Sequence, residues 1–476
     1  MLACIEGPVF YDKCLRSQGF IIIMNNLLRM SLLLFSLAFV NTASANFAEA
    51  LRLYQAGNYE EAFGMFKRMA EVGYAPAQFN LGVMYCRGYS VAEDHLQGYA
   101  WAKLAEGHDE TIDKRIAALY HAFTEEGKIK ATETAVELAA LYGSEELART
   151  LLPTALADED CEPSVLPVKK TQPMYPRKAL QQGHMGSVTV VFDVDPSGRT
   201  KNPTILYGPE VFHRTSLDAV TKFRYEPDRP ATGVTNKITY EIVYETAGGS
   251  GEVRSLNPRL QEQIDALKQS ADSGSPADKY MYALSTAAFD HHRPEHHVLN
   301  EYLVDAAQQG LPEAQFMVGR NLLFGEGCEV DTPKGMEWLK RSAQLDYAPA
   351  QYLLAVKTKD EPDKRRSSML WLENAADSGH YPSMLELAWM LATNSDEELR
   401  DPKRAVKLAE EAAAAFSDKI TGWDTLAAAY ASDGDFKRAV RYQKKALKQA
   451  KKLNWELPEL QAHLLRYGDQ SAWVEE

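Results

Sequence analysis

Internal repetition constrains this 476-residue chain more than any other feature. The segment GYAPAQFNLGVMYCRG, which begins at Gly73, is similar to GLPEAQFMVGRNLLFGEG, which begins at Gly310. Equivalent positions in the C-terminal half follow at spacings of 37, 36 and 33 residues, at Asp278, Gln315, Gln351 and Met384. A period in the mid-thirties is typical of stacked helix-turn-helix units. We expect the small side chains of Ala77 and Ala350 to let neighbouring helices approach closely.

Each unit also follows a recognisable motif. Ala77–Ala105 reads Ala-Gln, Leu-Gly-x-Met-Tyr, a glycine loop with Asp, and Gly-x-x-Trp; Ala314–Ala343 is closely similar, with Trp338 at the place of Trp101. This pattern resembles the Sel-like branch of the tetratricopeptide family, and Trp423–Leu447 resembles an ordinary tetratricopeptide repeat. The resemblance implies solenoid blocks that present a concave face to a protein or peptide partner; the alternative is that the repeats only support neighbouring domains or form dimers.

Between the repeats, the chain changes from a helical to a strand pattern. Residues 187–195 alternate apolar and polar side chains, as a half-buried strand does, and Asp195–Gly198 then form a turn. The elements predicted here are a short helix over 176–182, strands over 187–195 and 203–208, a helix over 213–223 and a last strand over 236–246. This order predicts a small α+β domain with helices on one side of an antiparallel sheet.

The same segment resembles the C-terminal domain of TonB. The matching motifs, at family spacing, are Gln172-Pro173-x-Tyr175-Pro176, Gly183 and Gly186, the strand Val188–Val194, Gly198, and Arg224-Tyr225-x-Pro227. The resemblance implies that an extended segment of an outer-membrane receptor pairs with the sheet edge, close to the Gln-Pro stretch. The partner-binding candidates it implies are Gln172, Pro173, Tyr175, Ile238, Tyr240, Ile242 and Tyr244.

Backbone chemistry leads to the same edge without the resemblance. A last strand in a small sheet leaves one row of N–H and C=O groups unpaired. An added strand satisfies that row, and its backbone hydrogen bonds provide affinity with few sequence requirements. We therefore expect the strand Ile238–Tyr244 to be the edge at which a partner is added.

Charge and motif content exclude several classes of function. The net charge is −14 and the pI is about 5.4, which argues against a general nucleic-acid-binding protein. Residues 168–245 are weakly basic at +3, whereas the rest of the chain is at −17. The cluster HHRPEHH at 291–297 is interpreted as a polar loop rather than a metal site, because no other ligand cluster accompanies it. With no nucleophile or phosphate-loop motif, we expect no enzyme activity and no cofactor.

The N-terminus predicts export. From Met24, a basic residue, a short apolar stretch and Ala43-Ser44-Ala45 describe a secretory signal cleaved after Ala45. The alternative is an uncleaved membrane anchor, which requires about 20 apolar residues. The exported chain keeps Cys86, Cys161 and Cys328, an odd number that is not a disulfide framework, although one bridge and one free thiol would be possible.

The predicted fold class is mostly α, with helical-repeat blocks flanking the small TonB-like domain. The expected segments are 1–45 (extension and signal), 46–155 (repeats), 156–170 (linker), 171–247 (TonB-like domain), 248–256 (Gly-rich linker) and 257–476 (repeats). We expect a periplasmic adaptor that binds an envelope protein, such as a TonB-dependent receptor, at the sheet edge and a second protein on the repeats, with membrane contact only through an uncleaved signal. The alternative is an energy transducer for siderophore-type uptake.

Overall fold

The computed structural model describes residues 46–155, 167–181, 186–194, 197–207, 210–226, 236–244, 258–287, 296–325, 327–415, 419–453 and 457–475. The prediction of a mostly helical chain is confirmed. The described residues form two compact units. The first contains those between 46 and 342 except the segment 167–244, and the second contains that segment together with 343–475.

The first unit consists of helices, and successive helices pack against each other. Its N-terminal helices are Asn46–Gln55 (α1), Tyr59–Ala70 (α2), Ala75–Arg87 (α3), His95–Leu104 (α4), Glu110–His121 (α5), Glu125–Tyr142 (α6) and Ser144–Thr150 (α7). Helices from beyond the strand segment complete it: Pro258–Ser273 (α10), Pro276–Ala287 (α11), His296–Gln308 (α12), Pro312–Phe324 (α13) and Thr332–Gln344 (α14), the last ending beyond the unit's boundary.

The second unit joins the strand segment to the remaining helices. The strand segment contains Arg177–Gln181 (α8), Gly186–Val194 (β1), Thr200–Tyr207 (β2), Glu210–Val220 (α9) and Asn236–Tyr244 (β3). The remaining helices are Ala348–Thr358 (α15), Arg365–Asp377 (α16), Tyr381–Thr393 (α17), Pro402–Ala415 (α18), Lys419–Ser432 (α19), Phe436–Lys452 (α20) and Pro458–Gly468 (α21). Their core is rich in alanine and leucine, which suits closely spaced helices.

In two of the repeats, the paired helices touch through glycine. A methyl group built on Gly82 of α3 would lie 2.5 Å from the carbonyl oxygen of Gly98 on α4. The corresponding distance from Gly319 of α13 to the carbonyl oxygen of Gly335 on α14 is 2.9 Å. No side chain fits at these separations, so glycine is a steric requirement at Gly82 and Gly319. Ala77 is fully buried as predicted, but glycine makes the closest approach.

The glutamine of the Ala-Gln pair makes the same hydrogen bond in three repeats. In each, the buried amide donates to the carbonyl eight residues earlier, near the end of the preceding helix. The donors are Gln78, Gln315 and Gln351, and the acceptors are Ala70, Ala307 and Ala343, at 3.2, 3.0 and 3.1 Å. Each of these carbonyls also accepts a backbone N–H, from Gly73, Gly310 and Asp346 respectively, so the glutamine adds a second hydrogen bond near the end of the preceding helix.

The N-terminal helices are continued directly by helices from beyond the strand segment. At the end of α7, the indole Nε1 of Trp338 donates to the carbonyl of Leu151 at 2.8 Å. Lys334 Nζ donates to the carbonyls of Ala148 and Leu152, at 3.2 and 2.9 Å. A cation is favourable at the negative end of a helix, so α14 caps α7 although the two are far apart in sequence.

Substitution at the glycine contact should destabilise the first unit. We expect Gly82→Ala to lower its free energy of unfolding by about 1–3 kcal/mol, because the added methyl group overpacks the helix contact. The matched control is Gly64→Ala within α2, where the nearest atom is 3.7 Å away on the flexible side chain of Arg68. That change should stabilise its helix by about 0.5–1 kcal/mol. Hydrogen exchange of α2, α3 and α4 measures both, and equal effects would contradict the steric interpretation.

The cap on α7 gives a second test. We expect Trp338→Phe to destabilise α7 by about 1–2 kcal/mol more than Trp101→Phe destabilises its surroundings. Trp101 is also buried, but it stacks on Tyr142 at 5.2 Å, and its indole N–H donates to none of the described residues. Local hydrogen exchange in 144–152 measures the difference. Exchange that is unaltered by Trp338→Phe would show that the cap does not stabilise α7.

Candidate partner-binding edge

The strand segment has one core, on one face of a three-stranded sheet. The strand order is β2-β1-β3, and both neighbours of β1 are antiparallel to it. Val188, Val190 and Phe192 alternate along β1 and are fully buried. They pack with Phe212 and Val220 of α9, so the alternation read from the sequence identifies the buried face.

A glycine turn holds the segment after α9 against the start of β2. Gly198 has φ of +77°, and a methyl group built on it would lie 2.2 Å from the carbonyl oxygen of Tyr225. The N–H of Tyr225 donates to the Gly198 carbonyl at 3.0 Å. Both the backbone conformation and the close contact require glycine. Two motifs that are separate in sequence, the glycine turn and Arg-Tyr, therefore form one contact.

The β3 edge of the sheet is regular. Nine consecutive residue pairs join β1 to β3, from Gly186 opposite Tyr244 to Val194 opposite Asn236, without a shift of register. Among the described residues, β3 pairs with β1 alone. The outer row of β3 N–H and C=O groups therefore faces no strand in that part of the chain. A long edge of this kind is a template for pairing with another chain.

The β2 edge is different in three respects. Its register against β1 shifts twice, and β2 has an extra residue between the pairs Asp193–Lys201 and Val191–Thr204. Pro203 lies within that irregular stretch and has no N–H to offer. An isolated bridge between Arg199 and Arg224 covers the edge where β2 begins. Bulges, proline and local cover are the features that block strand addition, so the two edges of this sheet are not equivalent.

The predicted partner-binding residues fall into two groups. Gln172 is exposed, Pro173 is half-buried and Met174 between Pro173 and Tyr175 is 82% exposed. Tyr175 packs edge-on against Phe212 with 5.5 Å between ring centres, and burial raises the pKa of its hydroxyl. Tyr175 therefore contributes to the core of the domain, and its contact with a partner stays a prediction.

The second group lies on β3. The structure describes the backbone of these four residues, and their side chains lie outside what it describes: Ile238, Tyr240, Ile242 and Tyr244. The prediction that they contact a partner therefore rests only on the position of their backbone in β3. Because an added strand bonds to backbone groups, the position of β3 at the edge matters more than its side-chain identities.

Arg224 has a role that the sequence analysis missed. Its guanidinium donates to the carbonyl of Leu453, which caps the end of α20 within the second unit. In the sequence, Arg224 is recognisable only as part of the TonB-like motif. A cation is favourable at a helix C-terminus, so this side chain ties the strand segment to the helical repeats of its own unit. No local pattern joins residues 229 positions apart, which is why sequence reasoning did not find the contact.

Several predictions concern residues outside the described part of the chain. These are the signal over 1–45, most of the two linkers, Cys161, and the histidine cluster up to residue 295. Cys86 and Cys328 are described, and both are buried. Within the described ranges, no helix has both the length and the apolar character that crossing a bilayer requires.

Comparison with known families gives separate matches for the strand segment and for the helical repeats. Residues 171–246 match the family model for the C-terminal domain of the Gram-negative bacterial TonB protein. The family model for the Sel1 repeat matches four segments, at 75–106, 312–347, 348–380 and 382–415. The first of these contains α3 and α4, and the others contain the pairs α13 and α14, α15 and α16, and α17 and α18.

Individual curated relatives are similar to parts of this chain. TonB of Escherichia coli is 36% identical over 77 residues, which are 16% of this chain and 32% of that protein. An uncharacterized protein of Neisseria meningitidis is 30% identical over 155 residues, 32% of each chain. This chain thus spans about a third of the length of the curated relatives it matches.

Two solved structures with helical repeats are also similar. A protective antigen of uropathogenic Escherichia coli with an SLR fold is 16% identical, with a TM-score of 0.37 over 92% of this chain and 75% of that one. A Sel1 repeat protein from Oxalobacter formigenes is 17% identical, with a TM-score of 0.33 over 44% of this chain and 97% of that one. The predicted recognition is confirmed: this chain carries a domain of the TonB C-terminal family together with Sel1 repeats.

Proposed function

We propose that this protein is an envelope adaptor whose β3 edge takes up an extended peptide segment of another protein by strand addition. Sel1 repeats and TonB C-terminal domains are interaction domains, which supports the general function. The similarity to TonB proteins of Gram-negative bacteria supports an envelope location and export to the periplasm. The peptide would come from an envelope protein such as a TonB-dependent outer-membrane receptor.

The observation that carries this proposal is the difference between the two sheet edges. β3 offers nine residues in unbroken register, whereas β2 is interrupted by two register shifts and Pro203. A domain that only avoided aggregation would be expected to protect both edges. Because only the β2 edge is protected in this way, we infer that the β3 edge stays open in order to bind a partner.

The expected recognition is dominated by backbone hydrogen bonds. Each residue of an added antiparallel strand that faces β3 exchanges N–H and C=O bonds with it, so affinity accumulates along the peptide with modest demands on its sequence. Gln172 and Pro173 would add side-chain contacts if the peptide extends towards the segment before α8. Gln172 is exposed and therefore accessible to such a contact.

The repeats supply a second surface on the first unit. Tyr120 of α5 and the exposed side chains Ile129 and Val136 of α6, which are 61% and 65% accessible, line a groove. Glu133 and Glu137 lie at the same groove. An apolar floor beside carboxylates suits an amphipathic segment with basic residues, and a second weak site on one chain would raise the overall avidity.

The energy-transducer alternative depends on an uncleaved membrane anchor. The residues that would form it lie in 1–45, outside the described chain, and no observation on the described residues favours it. We therefore retain the adaptor as the proposed function.

A proline scan of β3 tests strand addition. In an antiparallel ladder, one residue directs both backbone groups to its neighbour and the next directs both away. Proline at Thr239, Tyr240 and Glu241 should therefore alternate in effect. Where the N–H faces outwards, the full-length chain stays folded and its affinity for the peptide falls about tenfold or more; where it faces β1, the domain itself is destabilised.

The probe is a synthetic peptide from the periplasmic N-terminal segment of a TonB-dependent receptor, and titration calorimetry gives its Kd. Tyr240→Ala is the matched control, because it removes the side chain but keeps the N–H. Amide exchange should slow at alternate β3 residues when the peptide binds. If a folded proline variant in which the lost N–H faces outwards binds as well as the wild type, the β3 edge is not the binding site.

A further inference from the structure

One helix of the second unit has a charge opposite to that of the chain. α20 contains eight Lys and Arg residues and no acidic residue, whereas the whole chain has a net charge of −14. All eight side chains are exposed. The cations, here called the basic face, are Lys437, Arg438, Arg441, Lys444, Lys445, Lys448, Lys451 and Lys452.

The eight cations lie on one side of α20. At about 100° per residue they occupy an arc of about 140° and extend for about 22 Å along the helix axis. The buried residues of the helix lie on the opposite side: Ala439, Gln443, Ala446 and Ala450. The apolar side is therefore already used in packing, and the basic face is available to solvent along its whole length.

Little neutralises this charge within the described chain. Asp435 forms an ion pair with Arg438 at 3.2 Å. Glu410, which accepts a hydrogen bond from Tyr430, also attracts the positive charge of Arg438. The other seven cations form no ion pair with a described residue. Lys445 lies 4.3 Å from the ring centre of Tyr442 and 5.9 Å from that of Trp423. Aromatic rings stabilise a cation without cancelling its charge, so the basic face keeps its positive potential.

Without a counter-charge, repulsion between these closely spaced cations raises the free energy of the folded helix. Lys444 and Lys448 are four residues apart, as are Lys448 and Lys452, and like charges at this spacing repel each other on a helix. A partner that supplies many negative groups without demanding a shaped surface would relieve the repulsion along the whole face. Phospholipid headgroups supply such an array.

We propose that the basic face docks on the surface of a bilayer that contains anionic phospholipid. Six of the eight cations are lysines, whose flexible point charges suit separate phosphate groups better than the fixed geometry of a protein carboxylate. A second copy of this chain is a poorer counterpart. On α6, Glu125 and Glu126 are already paired with Lys128 and Lys130, at 2.7 and 2.8 Å, so only Glu133 and Glu137 of that helix are left to face eight cations.

The contact would be peripheral and electrostatic, because α20 has no free apolar side to insert. Salt should therefore abolish it: the screening length falls from about 10 Å at 0.1 M to about 3 Å at 1 M. The docking does not depend on strand addition at β3, so each proposal stands or fails separately. It also allows membrane contact without an uncleaved signal.

Vesicle flotation of the full-length chain tests the proposal. At low salt, we expect binding to vesicles of phosphatidylethanolamine and phosphatidylglycerol and no binding to phosphatidylcholine. The triple variant Lys444→Gln, Lys448→Gln, Lys452→Gln should lower the partition coefficient on the order of 100-fold. The matched control, Lys114→Gln, Lys403→Gln, Lys407→Gln, removes the same charge from exposed positions on other helices and should bind like the wild type.

Circular dichroism of both triple variants establishes that the helices are intact. The proposal is overturned if the wild type does not float with the anionic vesicles, or if both triple variants lose binding equally. It is also overturned if light scattering shows that the wild type forms a dimer that only the α20 variant dissociates, because the face would then be a contact between copies of the chain.

Discussion

Close backbone contact between paired helices is the constraint on which the repeats of the first unit depend. Where Gly82 meets Gly98, and Gly319 meets Gly335, the distance excludes even a methyl group. In the same two repeats, the buried amides of Gln78 and Gln315 donate to carbonyls near the end of the preceding helix. Packing and hydrogen bonding therefore support the same geometry, which is the consistency expected of a sequence that specifies one fold.

The cap that α14 places on α7 explains how a domain can interrupt the repeats. Trp338 and Lys334 bond to carbonyls near the end of α7, so the helices before the interruption pack directly with helices after it. The repeats can therefore stop after residue 155 and resume by 258 without leaving the C-terminal end of α7 uncapped. Insertions are tolerated where few contacts are cut, and here the flanking elements restore those contacts themselves.

Sequence reasoning succeeded where a pattern is local. It failed where a contact joins residues that are distant in sequence, and where the net charge of a long segment hides the opposite charge of one helix within it. The alternation at Val188, Val190 and Phe192 identified a buried face, and the Ala-Gln and Leu-Gly steps identified the repeats. The bond from Arg224 to Leu453 joins separate segments and leaves no local signal. The basic face of α20 was overlooked because net charge was weighed over long segments, in which acidic residues outnumber its cations.

The unequal edges of the sheet also limit what the molecule can assemble into. Growth of a fibre by edge-to-edge association requires every subunit to bind on two sides, so that each addition creates a new end. In this sheet, Pro203 and the register shifts of β2 close one side, and only β3 is regular. Under the proposed strand addition, an arriving strand would terminate the sheet instead of extending it, which would fix the stoichiometry at one peptide per domain and prevent open-ended polymerisation.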